Sequence, residues 1–273
     1  MSAPTSATAG SVAALTVAGS DSGAAAGVQA DLLTFAACGV YGTTALTSLT
    51  AQNPRGISAI HVLPPEFVRA QIEQVLAYYP VRALKTGMLA SVGVIEVIAT
   101  FLERNPALPV VVDPVLVATS GAWLLEATAL ETLTTRLLPR ATLLTPNFDE
   151  AAVLLGERPA SDANSIERAA VTLAKKFNTA VLLKGGHVPT DPILDVLAGP
   201  EGVRLRLRAP RVTGVDTHGG GCTLSAAITA QLALGADLNT AVERGHAALQ
   251  RAFAHPLVLN GQKFLNHGAM AEA

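Results

Sequence analysis

A glycine-rich turn in front of a predicted helix is the segment of this sequence best suited to chemistry. Gly219, Gly220 and Gly221 precede Cys222 and a run of helix-forming residues. Glycine lets backbone N–H groups converge without interference from a Cβ atom, and the N-terminus of a helix attracts an anion. The segment therefore predicts a cradle for a phosphoryl group. It is not a Walker sequence, because no Lys-Ser/Thr pair follows the glycines, and a flexible loop is the alternative interpretation.

Two side chains of this segment could take part in chemistry. Cys222 lies at the predicted helix start, where the pKa of a thiol falls and the thiolate becomes accessible near neutral pH. The alternative is a small buried cysteine in the first helical turn. Asp216 adds a polar group beside the turn, and we assign it to the nucleotide site. It could instead cap local backbone donors.

Further polar residues follow buried strands. Asp21 comes after the first predicted strand, where it could orient a ligand or support its own turn. Asp113 ends a valine-rich strand, and Asn147 and Glu150 follow the next one. Hard oxygen ligands suit Mg²⁺, which keeps several waters and borrows oxygens from substrate phosphates. An Asp-Pro turn and a helix N-cap with an acidic first turn would explain the same residues.

Short apolar runs alternate with helical patterns along the whole chain. We predict strands at residues 14–18, 41–48, 81–86, 110–112, 141–144, 180–183, 193–197 and 203–207. We predict helices at residues 27–38, 65–77, 92–104, 127–138, 148–155 and 165–176, and mostly helix from residue 222 onward. This alternation indicates an α/β fold with a central, mainly parallel β-sheet covered by helices on both faces. In such folds ligands bind at the carboxyl ends of the strands.

Composition limits the classes of function. Of the 273 residues 50% are hydrophobic, and the formal charge of −2 argues against an extended nucleic-acid surface. No apolar run approaches the ~20 residues of a membrane helix. Residues 1–12 lack Lys and Arg, so we expect a disordered tail rather than a secretory signal. We expect one domain over residues 13–265 and a frayed end over 266–273. The two cysteines, Cys38 and Cys222, favour reduced thiols in the cytoplasm.

The sequence Asp-Thr-His-Gly-Gly-Gly-Cys-Thr-Leu-Ser-Ala-Ala at residues 216–227 resembles the C-terminal signature of a known enzyme family. This family is the hydroxymethylpyrimidine/phosphomethylpyrimidine kinases of thiamin biosynthesis, which have a ribokinase-like fold. Residues 18–31, 51–53, 85–89 and 184–187 resemble further motifs of the family, in the same order. The resemblance implies ATP- and Mg²⁺-dependent phosphorylation of 4-amino-5-hydroxymethyl-2-methylpyrimidine, then of its monophosphate, by a homodimer.

The resemblance also implies roles for single residues. It implies that Cys222 activates the substrate hydroxyl, where the wider class carries Asp, and that the backbone of residues 219–222 binds the anion. Asn147, Lys184, Asp113 and Glu150 would serve the nucleotide and its metal. Asp21, Gly23, Gln52 and Met88 would bind the pyrimidine. The Gln52 amide offers both a donor and an acceptor, as a ring nitrogen beside an exocyclic amine requires.

Departures from the family pattern leave two alternatives open. Ala24 and Ala25 stand where the family has glycine, Leu33 where it has lysine, and Gly220 where it has threonine. The loss of the lysine would remove a charge from the phosphate side of the site. One alternative is a pyridoxal kinase of the same fold, and the other is a non-catalytic pyrimidine-binding regulator.

Overall fold

A nine-stranded sheet forms the centre of the computed structural model, which describes residues 11–116, 125–126 and 128–271. Its strands run in the order β3 (Gly56–Val62), β2 (Tyr41–Asn53), β1 (Ala13–Asp21), β4 (Val81–Thr86), β5 (Val110–Val112), β6 (Leu143–Leu144), β7 (Ala180–Leu183), β8 (Ile193–Gly199) and β9 (Gly202–Ala209). The six strands from β2 to β7 in this order are parallel, and β3, β8 and β9 are antiparallel to their neighbours. The prediction of a mainly parallel sheet is confirmed.

Helices cover both faces of the sheet, as predicted. One face carries α2 (Pro65–Tyr78), α3 (Val92–Arg104), α4 (Ala129–Thr132), α5 (Phe148–Leu155) and α6 (Ala163–Phe177), and the other carries α1 (Gly27–Ala37), α7 (Gly220–Ala233) and α8 (Leu238–Ala254). Successive strand residues face opposite cores, so Leu84 packs with the first group of helices and Ala83 with the second. Within the described ranges, none of the helices combines the length and hydrophobicity that crossing a bilayer requires.

Two hairpins were missed in the sequence. The chain turns after β2 into β3, an edge strand with exposed side chains and therefore a weak hydrophobic pattern. The expectation of helix beyond residue 222 is wrong for β10 (Leu257–Leu259) and β11 (Gln262–Phe264). Asn260 and Gly261 join these two strands with φ angles of 51° and 77°. Asn-Gly between short apolar runs is a strong hairpin signal, so this element could have been found.

The C-terminal segment also differs from expectation. His267–Met270 form a 3₁₀ turn, and the side chains of His267 and Met270 are buried rather than frayed. The Arg251 guanidinium donates two hydrogen bonds to the Met270 carbonyl oxygen, at 2.7 and 3.1 Å. The predicted helix over residues 127–138 is α4 followed by a π turn at Leu133–Leu137. The predicted N-terminal tail falls largely on residues 1–10, which lie outside the described residues.

The order of the strands creates a crevice at one edge of the sheet. From β1 the chain first adds β2 on one side and later adds β4 on the other, so the connections leave in opposite directions. The carboxyl ends of all six parallel strands lie at this edge. A crevice at such a switch point is where open α/β sheets bind ligands.

A tight turn after β1 contains a strained residue. The Ala24 N–H group donates to the Asp21 carbonyl oxygen at 3.0 Å, and Ala24 has a φ of 60°. An alanine in the left-handed region costs roughly 1–2 kcal/mol because its Cβ approaches the following carbonyl. The family glycine at this position would avoid that cost.

We expect Ala24→Gly to raise the free energy of unfolding by about 1 kcal/mol, since the relief of strain exceeds the added entropy of the unfolded chain. Urea unfolding followed by circular dichroism measures the difference. Ala25→Gly is the matched control, because Ala25 lies outside the left-handed region and should lose ~0.5–1 kcal/mol. Equal effects of the two substitutions would contradict the strain at Ala24.

Candidate active site

A cavity of about 670 Å³ opens at the carboxyl ends of the parallel strands. Eleven of the thirteen predicted site residues line it: Asp21, Gln52, Met88, Asp113, Asn147, Glu150, Lys184, Gly219, Gly220, Gly221 and Cys222. They come from the ends of β1, β2, β4, β5, β6 and β7 and from the start of α7. The parallel arrangement of these strands therefore brings together residues that are up to about 200 positions apart in the sequence.

The glycine turn is fixed by a close backbone contact. Gly219 caps α7 with a φ of 82°, and a Cβ atom there would lie 1.7 Å from the Ala25 carbonyl oxygen. No other residue fits, so the start of α7 must sit against the loop that follows β1. The Gly220 N–H group donates to the Thr217 carbonyl at 3.0 Å. The first N–H groups of a helix have no intrahelical acceptor, so Gly221 and Cys222 supply the donors for an anion.

The Cys222 thiol differs from prediction in its ionisation. Burial raises the pKa of Cys222 to about 11, the Asp31 and Asp113 carboxylates raise it further, and Lys85 opposes them. The expected lowering of this pKa is therefore wrong, because removal from water outweighs the helix N-terminus. The Gly27 N–H group donates to the sulfur. At neutral pH Cys222 is a protonated thiol in the ligand-free chain.

The sequence analysis assigned no role to a buried ion pair that lies beside Cys222. Lys85 at the end of β4 pairs with Asp31 of α1, and both side chains are fully buried. The Thr16 hydroxyl donates to the second Asp31 oxygen at 2.6 Å. Burial opposes the charge on Lys85, but the Asp31 carboxylate holds the pKa of Lys85 above its usual value. The signal for this pair was a lone lysine in an apolar strand and a lone aspartate in an apolar helix.

A second charged pair lies beside the glycine turn. Lys184 Nζ is 3.0 Å from Asp113 Oδ1, and Thr145 donates to the same oxygen at 3.1 Å. A Cβ atom on Gly221 would lie 3.0 Å from Lys184 Nζ, so the absence of a side chain leaves room for this ammonium. Lys184 thus carries positive charge directly to the turn where an anion would bind.

Asn147 and Glu150 form a capping box at the start of α5. The Asn147 side chain accepts from the N–H groups of Asp149 and Glu150, both at 2.9 Å, and Glu150 accepts from the Asn147 N–H at 2.8 Å. The helix-cap alternative is therefore realised, although both residues also line the cavity. Burial raises the pKa of Glu150 to about 7, with repulsion from Asp113 adding and Lys184 opposing.

These carboxylates fit a hydrated magnesium ion. Glu150 and Asp113 both line the cavity, and a divalent cation would relieve the repulsion between their carboxylates. No group of three His, Cys, Asp or Glu that could hold a metal occurs in the described part of the chain. Two carboxylates suit Mg²⁺, which takes its remaining ligands from water and substrate phosphates.

The other end of the cavity combines Gln52, Asp21 and Met88. The Asp21 carboxylate accepts from the N–H groups of Gly23 and Ala26, at 2.8 and 3.0 Å. Burial opposes the charge, but hydrogen bonds from His218 and from these two backbone groups lower the pKa of Asp21. Asp21 is therefore an ionised acceptor that both shapes its turn and faces the cavity.

Three residues that the sequence analysis singled out do not line the cavity. Gly23 only supports Asp21, and Asp216 accepts hydrogen bonds from the His218 backbone at 2.9 Å and the Gln262 side chain at 3.1 Å. Asp216 therefore braces the loop before the glycine turn and does not itself line the cavity. Leu33 is 49% exposed on α1 and does not line the cavity. The lysine-to-leucine departure thus removes no charge from the cavity.

Six apolar residues of the cavity wall were missed in the sequence. They are Val153, Ile193, Pro210, Val212, Leu249 and Phe253. They come from α5, β8, α8 and the segment after β9, and no local motif marks them. Only the folded chain brings these residues together.

The nine-stranded sheet, the strand-end residues and the glycine turn define a small-molecule kinase of the ribokinase-like class. The chain belongs to the phosphomethylpyrimidine kinase family, whose model matches residues 21–267. It is 41% identical over 259 residues to the hydroxymethylpyrimidine/phosphomethylpyrimidine kinase of Haemophilus influenzae, covering 93% of this chain and 96% of that one.

Solved structures agree with this assignment. The phosphomethylpyrimidine kinase of Clostridium difficile superposes with a TM-score of 0.77 at 36% identity, over 88% of this chain and 99% of that chain. The ADP complex of Bacillus subtilis pyridoxal kinase superposes with a TM-score of 0.86 at 33% identity, over 96% and 99%. Kinases of both substrates thus share this fold.

The raised pKa of Glu150 predicts a pH-dependent stability. The folded chain holds this proton more tightly than the unfolded chain, so charged Glu150 destabilises the fold increasingly as pH rises from about 4.5 to about 7. Glu150→Gln keeps the capping box. Its stability relative to the parent chain should therefore increase from pH 5 to pH 8 in urea unfolding without Mg²⁺. Glu157→Gln, at an exposed carboxylate, is the control. If the difference in free energy of unfolding between Glu150→Gln and the parent chain did not change with pH, the raised pKa of Glu150 would be contradicted.

Proposed function

We propose that the chain transfers the γ-phosphoryl group of MgATP to the hydroxymethyl group of 4-amino-5-hydroxymethyl-2-methylpyrimidine, and then phosphorylates the monophosphate. The observation that carries this proposal is one cavity that Gln52, Met88, Asn147, Lys184 and Cys222 all line. Membership of the phosphomethylpyrimidine kinase family supports the choice of substrate.

The apolar end of the cavity suits the base of a nucleotide. Leu249 and Phe253 of α8 and Val212 provide apolar surface in the cavity wall, and both Phe253 and Lys184 lie close to the glycine turn. A base bound there would place its phosphates toward Lys184 and the start of α7. The ADP bound by the Bacillus subtilis pyridoxal kinase supports a nucleotide site in this fold. Asp113 and Glu150 would hold Mg²⁺, which neutralises the phosphate charge.

The residues between the two ends position and stabilise the transferring group. The N–H groups of Gly221 and Cys222 and the Lys184 ammonium would face the negative charge of a loose transition state. Cys222 would accept the proton of the substrate hydroxyl. Because its pKa is high in the free chain, the thiolate is scarce at neutral pH but strongly basic when it forms. Cationic groups of the ligands would favour it.

Pyridoxal is the second candidate substrate. Its support is the similarity to the pyridoxal kinase of Bacillus subtilis, at 33% identity over almost the whole chain. Gln52 favours the pyrimidine, since its amide can serve a ring nitrogen and a neighbouring amine together.

We also propose a cytoplasmic homodimer. The structure has both cysteines as thiols, which a reducing compartment would preserve. Leu49, Ile60, Val62 and Phe67 of β2, β3 and α2 expose more than 40% of their surface at one edge of the sheet. Such an exposed apolar area suits contact with a second copy, as the family resemblance implies.

We expect Cys222→Ala to lower kcat by ~10²–10⁴, the usual contribution of a positioned general base. Binding of MgADP should persist, because the nucleotide end is untouched. In the parent chain kcat/KM should rise with pH beyond neutrality, since the pKa of free Cys222 is about 11. A coupled assay and calorimetry measure these quantities, with Cys38→Ala as control. Near-normal turnover in folded Cys222→Ala would leave the thiol a packing role.

Substitution of Gln52 by leucine should distinguish the two substrates. We expect Gln52→Leu to lower kcat/KM for the pyrimidine by an equivalent of ~1–3 kcal/mol, since a buried polar edge loses its partner. Pyridoxal lacks that paired edge and should lose less. Both substrates are measured on the same folded variant at saturating MgATP. A larger loss for pyridoxal would promote the pyridoxal kinase interpretation.

A further inference from the structure

His218 belongs to the glycine-rich segment but has no part in the transfer described above. Its ring lies between two residues of the pyrimidine end. His218 Nε2 is 2.9 Å from the terminal amide of Gln52 and 3.4 Å from Asp21 Oδ2. The His218 backbone N–H donates to Asp216 Oδ1 at 2.9 Å, which fixes the position of the loop. His218 therefore connects the loop of the glycine turn to the strand that carries Gln52.

Hydrogen-bond valence decides which end of the Gln52 amide faces His218. The oxygen and nitrogen of an amide have nearly the same shape, so their partners must distinguish them. His218 Nε2 has two neighbours, the Gln52 amide at 2.9 Å and the Asp21 carboxylate at 3.4 Å. The carboxylate can only accept, so a hydrogen on Nε2 that the amide and the carboxylate share suits both contacts. An Nε2–H group cannot accept from the NH₂ group of Gln52. The amide oxygen Oε1 therefore faces His218 and accepts this hydrogen bond.

The contacts at the other end of the Gln52 amide favour the same orientation. Thr50 Oγ1 lies 2.9 Å from the Ser20 carbonyl oxygen and 3.1 Å from the terminal atom of Gln52 that points away from His218. A hydroxyl has one hydrogen, and the Ser20 carbonyl can only accept it. As the amide is placed, Oε1 faces Thr50 and Nε2 faces His218. Exchanging these two atoms of similar shape lets Thr50 Oγ1 accept from the Gln52 NH₂ group while it donates to Ser20. His218, Gln52, Thr50 and Ser20 form a chain in which every donor meets an acceptor.

This chain leaves a defined recognition edge on Gln52. One lone pair remains on Oε1 and one hydrogen on Nε2, which match an amine and an adjacent ring nitrogen. In the proposed substrate the amine is at position 4, next to the carbon at position 5 that carries the hydroxymethyl arm. The amine would meet Oε1, at the end of the amide held by His218, four residues before Cys222. This orientation directs the hydroxymethyl arm toward the glycine turn.

A reversed amide would accept the same ring turned over, with its arm directed away from the turn. We propose that His218 is a positioning residue that fixes the amide orientation of Gln52 and thereby selects the productive orientation of the pyrimidine. The inference rests on the proposed function, because it assumes the aminopyrimidine substrate. In this proposal His218 controls the orientation of the bound pyrimidine ring and not its affinity.

The variant His218→Leu tests this role, and His218→Gln is its matched conservative variant, since a glutamine NH₂ group can replace the Nε2–H donor. With the amide free to reverse, a large share of bound pyrimidine would lie the wrong way round. We expect kcat of His218→Leu to fall about tenfold, the effect of losing one hydrogen bond, while the calorimetric Kd of the pyrimidine changes less than threefold. His218→Gln should recover most of kcat, and the Kd of MgADP should stay unchanged in both variants.

A double variant separates this role from support of the glycine turn. If His218 acts through Gln52, adding His218→Leu to Gln52→Leu should cause no further loss of kcat. An equal loss in both backgrounds, an unchanged kcat in His218→Leu, or a His218→Gln variant as slow as His218→Leu would each overturn the proposal.

A readout that does not depend on turnover separates the proposal from the proposed function. Nitrogen-15 NMR of histidine-labelled protein should show the hydrogen of His218 on Nε2 in the parent chain, with a changed Nε2 signal in Gln52→Leu. A hydrogen on Nδ1 alone would overturn the amide assignment. Failure of the parent chain to phosphorylate the pyrimidine, with the Nε2–H form present, would instead contradict the proposed function and leave the chain of hydrogen bonds established.

Discussion

The contact between the glycine turn and the loop after β1 is the constraint on which the site depends. Because a Cβ atom at Gly219 would lie 1.7 Å from the Ala25 carbonyl oxygen, only glycine lets the two backbones meet. The contact places the start of α7 above the switch point of the sheet, between β1 and β4. Cys222 and the first turn of α7 therefore form part of the wall of the cavity.

Two lysine–aspartate ion pairs lie near Cys222. Lys85 is held charged by Asp31, and Lys184 by Asp113, and both lysines interact with Cys222. Each pair satisfies a charge that burial would otherwise make costly. The neighbouring carboxylates also explain why the Cys222 thiol keeps its proton, since they add to the effect of burial. The protonation state of the Cys222 thiol thus depends on the charges of the ligands that bind in the cavity.

The sequence by itself determined the order of the central strands and helices and most of the residues at the strand ends. These follow from local information: apolar runs of strand length, helical periodicity, and polar residues where each run stops. Asp21, Asp113 and Asn147 were located in this way, and parallel strands necessarily bring such residues to one edge. The hairpin β10–β11 could also have been predicted from Asn260 and Gly261, whereas the hydrophobic pattern of the exposed edge strand β3 was too weak for a prediction.

Only the tertiary structure decided how those residues act. The direction of the Cys222 pKa shift depends on burial by residues far away in the sequence, so the helix start alone predicted the wrong sign. Asp216 matched a motif yet faces Gln262, while His218, two residues later, reaches Gln52. The apolar end of the cavity comes from four separate segments. Electrostatics and hydrogen-bond partners depend on distances between remote parts of the chain, which local patterns do not contain.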